Sequence, residues 1–298
     1  MTPGQRGRTL ALRWASALLA AGLGLSVAAA AEAAPAVPSA GTAAAVTAQV
    51  LVAGEPRGSA IILGRGHGGS WLATSRHVVD GEGRVCVRTS DGRNRPATTV
   101  LSGQDRQLDV AFLWLPGSDR LPAAIPAAAT GRSAGTPWEF PIVVASGYPV
   151  GDQQQRPSYR ERRGLLLPLL PGPLEGGMQL ATTAAVHKGM SGGGLFDDQE
   201  RLIGLNTSHA DPLWPAPLKR EGGKALSPEL NRRLELVALA IPAARFLPLL
   251  AGLQPPGQSP VATDAKNRSW WRGAARSPSG GRPGSDQAGA AACAGALR

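Results

Sequence analysis

Four histidines (His67, His77, His187 and His209) and one serine set among glycines bound the nucleophilic chemistry open to this 298-residue chain. The segment GMSGGGLFD, Gly189 to Asp197, places Ser191 among four glycines just before an apolar run. Glycines on both sides of a serine reach backbone conformations closed to other residues and let a substrate carbonyl come close. Such a turn can aim backbone N–H groups at a developing oxyanion, although a plain tight turn before a strand uses the same residues. A serine hydroxyl is a weak nucleophile at neutral pH until a base takes its proton. Two segments offer the partners. WLATSRHVVDG puts His77 after an apolar run and before Val78 and Val79, where packing can hold a side chain, and QLDVAFLWL puts Asp109 at the head of an apolar strand, beside the core. A carboxylate that accepts from one imidazole nitrogen leaves the other to take the serine proton. Each residue alone has an ordinary explanation, as a strand-end histidine, a capping aspartate or a turn serine, so the reading rests on all three together.

Chain order narrows the chemistry. Gly189-Met190-Ser191-Gly192-Gly193 also satisfies the G-x-S-x-G elbow of α/β-hydrolases, but there the histidine follows the serine. The one downstream histidine, His209, lies 18 residues on, with Asp197 and Asp198 too near to serve. The subtilisin order is closed as well, because no aspartate precedes His77. The order His77, Asp109, Ser191 survives.

The elements that must hold these groups are short. Apolar runs of four to eight residues, bounded by Gly, Pro, Asp and Asn, recur at 45–52, 59–63, 84–88, 110–115, 142–145, 179–185, 201–206 and 236–240, the pattern of a sandwich or barrel. The helices of 10 to 15 residues that a doubly wound fold needs are absent from the pattern. Composition agrees: 39 glycines and 26 prolines against 17% charged and 4% aromatic residues disfavour long charged helices. Residues 116–137, with four prolines, read as a connection between two β halves, and Pro242 followed by AARFLPLL reads as a closing helix. The two cysteines, Cys86 in a strand-like run and Cys293 near the end, are a poor structural pair and fit no zinc or haem spacing, so the fold is expected to stand on its apolar core alone.

Taken together, TSRHVV, SGYPVG, LDVAFLWL, GMSGGGLFD and RLIGLNTS, with the three candidate residues 32 and 82 positions apart, resemble a bacterial trypsin-like serine peptidase of the chymotrypsin fold. The resemblance covers about 46–252. It implies an all-β fold of two six-stranded antiparallel barrels, at about 46–116 and 137–241, with a short C-terminal helix at about 242–251. It further implies catalysis by His77, Asp109 and Ser191 in the cleft between them, an oxyanion hole from the N–H groups of Gly189 and Ser191, protein or peptide substrates, and no metal or organic cofactor. By the same resemblance Ala185, His187, Asn206, Thr207, Ser208 and His209 line the primary substrate pocket. Ala185 stands where trypsin carries an aspartate, which disfavours cleavage after Arg or Lys. Three departures stand out: Arg76 replaces the usual Ala before the histidine, Met190 replaces the Asp before the nucleophile, and the disulfide flanking the histidine is missing.

The ends are read separately. Arg6, Arg8 and Arg13 followed by the uncharged stretch Ala15–Ala31 and small residues have the layout of a secretory signal peptide over residues 1–33, with 34–45 a flexible mature N-terminus; a retained anchor is the competing reading. An exported chain, periplasmic or extracellular, with no stable transmembrane segment after cleavage is the expectation. Residues 253–298, rich in Pro, Gly, Ser and Ala, read as a disordered basic tail too short for a following peptide-binding domain. Of the net charge of +10, +2 falls in the leader and +4 in the tail, so the middle argues against nucleic acid as a partner. The oligomeric state is not legible. The rival reading is a protease fold kept as a catalytically silent binding protein of the cell envelope.

Overall fold

The structure, a computed structural model, describes residues 42–66, 68–80, 83–100, 107–127, 140–150, 158–208, 218–256 and 293. The proposed leader, His67, most of the second half of the 116–137 connection, His209 and nearly all of the tail lie outside these residues.

Strands β1 (Thr47–Val52), β2 (Glu55–Gly66), β3 (Gly69–Thr74), β4 (Val85–Arg88), β5 (Asn94–Pro96), β6 (Thr98–Val100) and β7 (Ala111–Pro116) form one antiparallel sheet in the order β5-β4-β1-β2-β3-β7-β6. Its two outermost strands are neighbours in the chain, separated by Ala97 alone, so the sheet must curl until its ends meet. The expected six strands become seven for a simple reason. One bent segment serves both edges: Pro96 lies opposite Cys86 on β4, and Thr98 lies opposite Trp114 on β7. Strands β8 (Ile142–Gly147), β9 (Arg160–Leu167), β10 (Leu180–Thr182), β11 (Gly194–Asp197), β12 (Leu202–Ser208) and β13 (Ala238–Pro242) close a second barrel in the order β10-β13-β12-β11-β8-β9. This is the two-barrel, all-β architecture expected from the sequence.

The continuous apolar runs are explained by burial on both faces. Along β7 the alternation of a strand sends Ala111, Leu113 and Leu115 into the first barrel, while Phe112 and Trp114, with Val110 just before the strand, point to the seam between barrels. The second barrel answers in kind. Leu195, Ala238 and Ala240 fill its interior, and Phe196, Leu239 and Ile241 meet the seam. Phe112, Phe196 and Phe246 are wholly buried there, each contributing roughly 2–3 kcal/mol by removal from water. Phe246 belongs to the helix Ala243–Leu250, which covers the seam after β13.

The cysteine reading needs correction. Cys86 on β4 and Cys293 are bonded as a disulfide across 207 residues, and both are buried with Leu51. Asn94 donates from Nδ2 to the Cys293 carbonyl at 3.3 Å. A strand cysteine whose side chain faces outward from the barrel interior is available to a distant segment, a fact that spacing along the chain does not carry. The tail is therefore fastened to the first barrel at Cys293, and the fold has a covalent support besides its core.

Candidate active site

The turn that presents His77 is set by its neighbours. After β3 ends at Thr74, residues Arg76–Val79 make a single helical turn, and Val78 and Val79 anchor it in the first barrel's core. His77, between them and the solvent, keeps half of its side chain exposed. Asp109 stands just before β7, where Val110 is buried and the Asp109 N–H donates to the Gly176 carbonyl of the second barrel at 2.9 Å. Its carboxylate bridges two groups of the histidine: Oδ1 accepts from the His77 backbone N–H at 3.0 Å and Oδ2 pairs with Nδ1 at 2.7 Å. The Asp109 carbonyl accepts from Arg76 N–H at 3.2 Å, tightening the same contact. Burial works to lower the imidazole pKa, but the Asp109 hydrogen bond and charge, with the charge of Asp80, outweigh it and hold His77 above its ordinary value.

The Ser191 turn is fixed from both barrels. Met190 is wholly buried in the second barrel, its N–H donating to the His187 carbonyl at 2.9 Å. An apolar side chain thus pins the loop at the place where trypsin uses an aspartate. Gly192 has φ +85°, and a Cβ there would run into the Ser59 carbonyl and the Thr74 hydroxyl, so glycine is required on steric and conformational grounds. Its N–H donates to the Asn206 carbonyl at 2.7 Å, and Asn206 N–H returns a bond to the Gly193 carbonyl at 2.8 Å. The Ser191 carbonyl accepts from Ser59 N–H at 2.8 Å, and Ser75, two residues before His77, donates its hydroxyl to the Asn206 carbonyl at 3.2 Å. The serine turn is therefore packed against the segment that carries His77. In this arrangement the Ser191 hydroxyl donates to the Thr207 carbonyl at 3.2 Å. The Lys188 carbonyl accepts from Val150 N–H at 2.8 Å, which in a trans peptide turns the Gly189 N–H to the opposite side. Neither that N–H nor that of Ser191 has a hydrogen-bond acceptor among the described residues.

The expected pocket residues divide. Ala185 and His187 are exposed, and Thr207 is buried and offers its carbonyl to Ser191. Asn206 is buried, and its amide donates to the Ser146 carbonyl at 3.1 Å and the Gly194 carbonyl at 2.9 Å, so its side chain ties β8 to β11. Ser208 ends β12, with its side chain outside the described residues, as is His209. Sequence reasoning missed the hydroxyls that clamp the barrels together, those of Ser59 and Ser146, and that of Thr74, which holds the Ser59 carbonyl. A hydroxyl in an otherwise apolar run, as in SAIIL, was the available signal.

Fold and site together define a trypsin-like serine peptidase domain. Residues 58–205 match the family described as trypsin-like peptidase domain, and with the bacterial relatives and solved structure below this supports a bacterial trypsin-like serine peptidase. Among curated relatives, a probable periplasmic serine protease do/HhoA-like of Haemophilus influenzae is 30% identical over 155 residues, 52% of this chain and 31% of the relative. The periplasmic pH-dependent serine endoprotease DegQ of Escherichia coli is 27% identical over 160 residues, 53% of this chain and 32% of the relative. The alignments thus span about a third of those relatives' length. The solved structure of the HtrA-type protease AlgW with tripeptide superposes with a TM-score of 0.51 at 25% identity, covering 70% of this chain and 59% of that one.

Proposed function

We propose that the chain is a serine endopeptidase that cleaves protein substrates through an acyl-enzyme. The observation that carries the reading is the double grip of Asp109 on His77, through backbone N–H and Nδ1 at once. That grip fixes the tautomer in which Nε2 is the free base. Ser191 acts as nucleophile: rotation about its Cα–Cβ bond takes the hydroxyl from the Thr207 carbonyl to the imidazole as substrate arrives. His77 takes its proton and afterwards delivers it to the leaving amine. The N–H groups of Gly189 and Ser191 receive the oxyanion, each such donor lowering the barrier by about 2.7–4 kcal/mol. With Met190 buried in the barrel, the loop is formed without a new amino terminus to pair with.

Neither segment expected to line the primary pocket, 185–189 or 206–209, contains an acidic residue, which supports poor cleavage after Arg and Lys. The relatives named as periplasmic proteases and the leader-like residues 1–33 support export to the periplasm or beyond.

The test is incubation of the purified protein with casein and with a fluorophosphonate probe, beside Ser191→Ala. Hydrolysis and labelling in the wild type that both vanish in the variant are expected. Labelling that survives in Ser191→Ala, or an inert wild type, overturns the reading.

A further inference from the structure

We infer that Ser59 is a positioning residue that sets the oxyanion-binding conformation of the Gly189–Ser191 loop from the opposite barrel. The inference rests on the reading of Ser191 as nucleophile given above. Strand β2 is paired with β1 from Glu55 to Ile61, but β3 joins it only from Ile61 onward, so the other edge of β2 is open at Gly58 and Ser59. The second barrel docks on that open edge. Ser59 is wholly buried there, and all four of its hydrogen-bonding functions are directed across or along the seam. Its N–H donates to the Ser191 carbonyl at 2.8 Å, and its carbonyl accepts from the Thr74 hydroxyl at 2.6 Å. Its hydroxyl donates to the Gly189 carbonyl at 2.8 Å while accepting from the Tyr148 N–H at 2.8 Å.

The consequence concerns peptide orientation. Gly189 has φ +91° and no side chain, so by itself its two flanking peptides rotate readily. A half-turn of the first moves the Gly189 N–H out of the place where the oxyanion forms, and a turn of the second redirects the chain that leads to the Ser191 N–H. The Lys188–Gly189 peptide is held by Val150; the Gly189–Met190 peptide is held at its carbonyl by the Ser59 hydroxyl and at its N–H by the His187 carbonyl; and the Met190–Ser191 peptide, which carries the Ser191 N–H, is held by the Gly193 N–H at 3.0 Å. The Ser59 N–H holds the next carbonyl but one, that of Ser191. The same hydroxyl also locks Tyr148, whose carbonyl lies against Gly189 at the spot a Cβ would occupy. One buried serine therefore braces the peptides on both sides of the Met190–Ser191 peptide, and with them the frame that carries the two donor N–H groups.

Ser59→Ala removes both hydroxyl contacts and leaves the backbone contacts in place. Its expected effect is a fall in kcat of about 10- to 100-fold with KM within twofold, less than the 10²–10³-fold of losing a donor outright. A peptidyl boronate, whose tetrahedral adduct occupies the oxyanion site, should lose affinity by a similar factor, whereas a non-hydrolysable peptide should bind unchanged. The pH at which kcat/KM rises should not move, since His77 and Asp109 are untouched. Ser59→Cys, similar in shape but a weak hydrogen-bonding group, should fall between the two and keeps the test intact if the alanine variant does not fold. Unchanged kcat and boronate affinity in an active, folded variant overturn the inference alone. An inert wild type overturns the proposed function and this inference with it.

Discussion

Opening the Cys86–Cys293 bond should cost this protein a large part of its stability. The bond closes a loop of 207 residues. In the chain-entropy description, a cross-link over that length lowers the entropy of the unfolded chain by about 18 cal/mol/K, or about 5 kcal/mol at 25 °C, the upper end of what disulfides contribute. At about 2–4 °C per kcal/mol for a domain of this size, the melting temperature should drop by about 10–20 °C. The folded state loses comparatively little, because the strand pairing of β4 with β1 and β5 does not depend on Cys293. Activity at 25 °C should persist, since no hydrogen bond of the His77, Asp109 or Ser191 groups involves β4. Thermal melts with and without a phosphine reductant, and of Cys293→Ser, measure the effect, and thiol titration in guanidinium counts free cysteines. Two thiols per chain in unreduced, denatured protein, or a melting shift under about 2 °C on reduction, would refute the reasoning.

Three further outcomes follow from the site. Because His77 must be neutral to act as base and is held above its ordinary value, the rise of kcat/KM with pH should lie above 6.5. Asp80→Asn should move it downward, and a wild-type rise below 6.5 would contradict the charge argument. The sign for stability is opposite: the raised imidazole stabilises the fold fully below about 6.5 and loses that contribution as pH climbs through the folded value, readable in melts of His77→Gln against wild type. Gly192→Ala should lower stability by about 1–3 kcal/mol through its positive φ alone and abolish most activity, because its Cβ meets the Ser59 carbonyl and Thr74 hydroxyl. A variant with near-normal turnover would show that the Ser191 turn does not need this close approach.

Much of the architecture could be read from local pattern because burial on two faces leaves an obvious trace. The run from Val110 through Leu115 of β7 is apolar at every position, since successive side chains enter two different cores. Strands with polar alternation were harder to see. β9, Arg160–Leu167, carries three arginines and a glutamate, with Arg160, Glu161 and Arg163 exposed, and its register comes only from pairing with β8 and β10. The bend at Ala97 left no signal either, because a strand that changes partners looks like two short irregular runs.

What the sequence determined by itself was chemistry and order: a serine among glycines, a histidine and an aspartate upstream of it, and apolar runs long enough to make strands. Residue type and order are local properties, and for these they sufficed to name the candidates. Only the tertiary structure decided which groups meet. The grip of Asp109 on His77 spans 32 residues, the hydroxyl of Ser59 reaches Gly189 across 130, and Cys86 bonds Cys293 across 207. Contacts of that kind depend on how two barrels dock along an open strand edge, and no spacing along the chain encodes that distance.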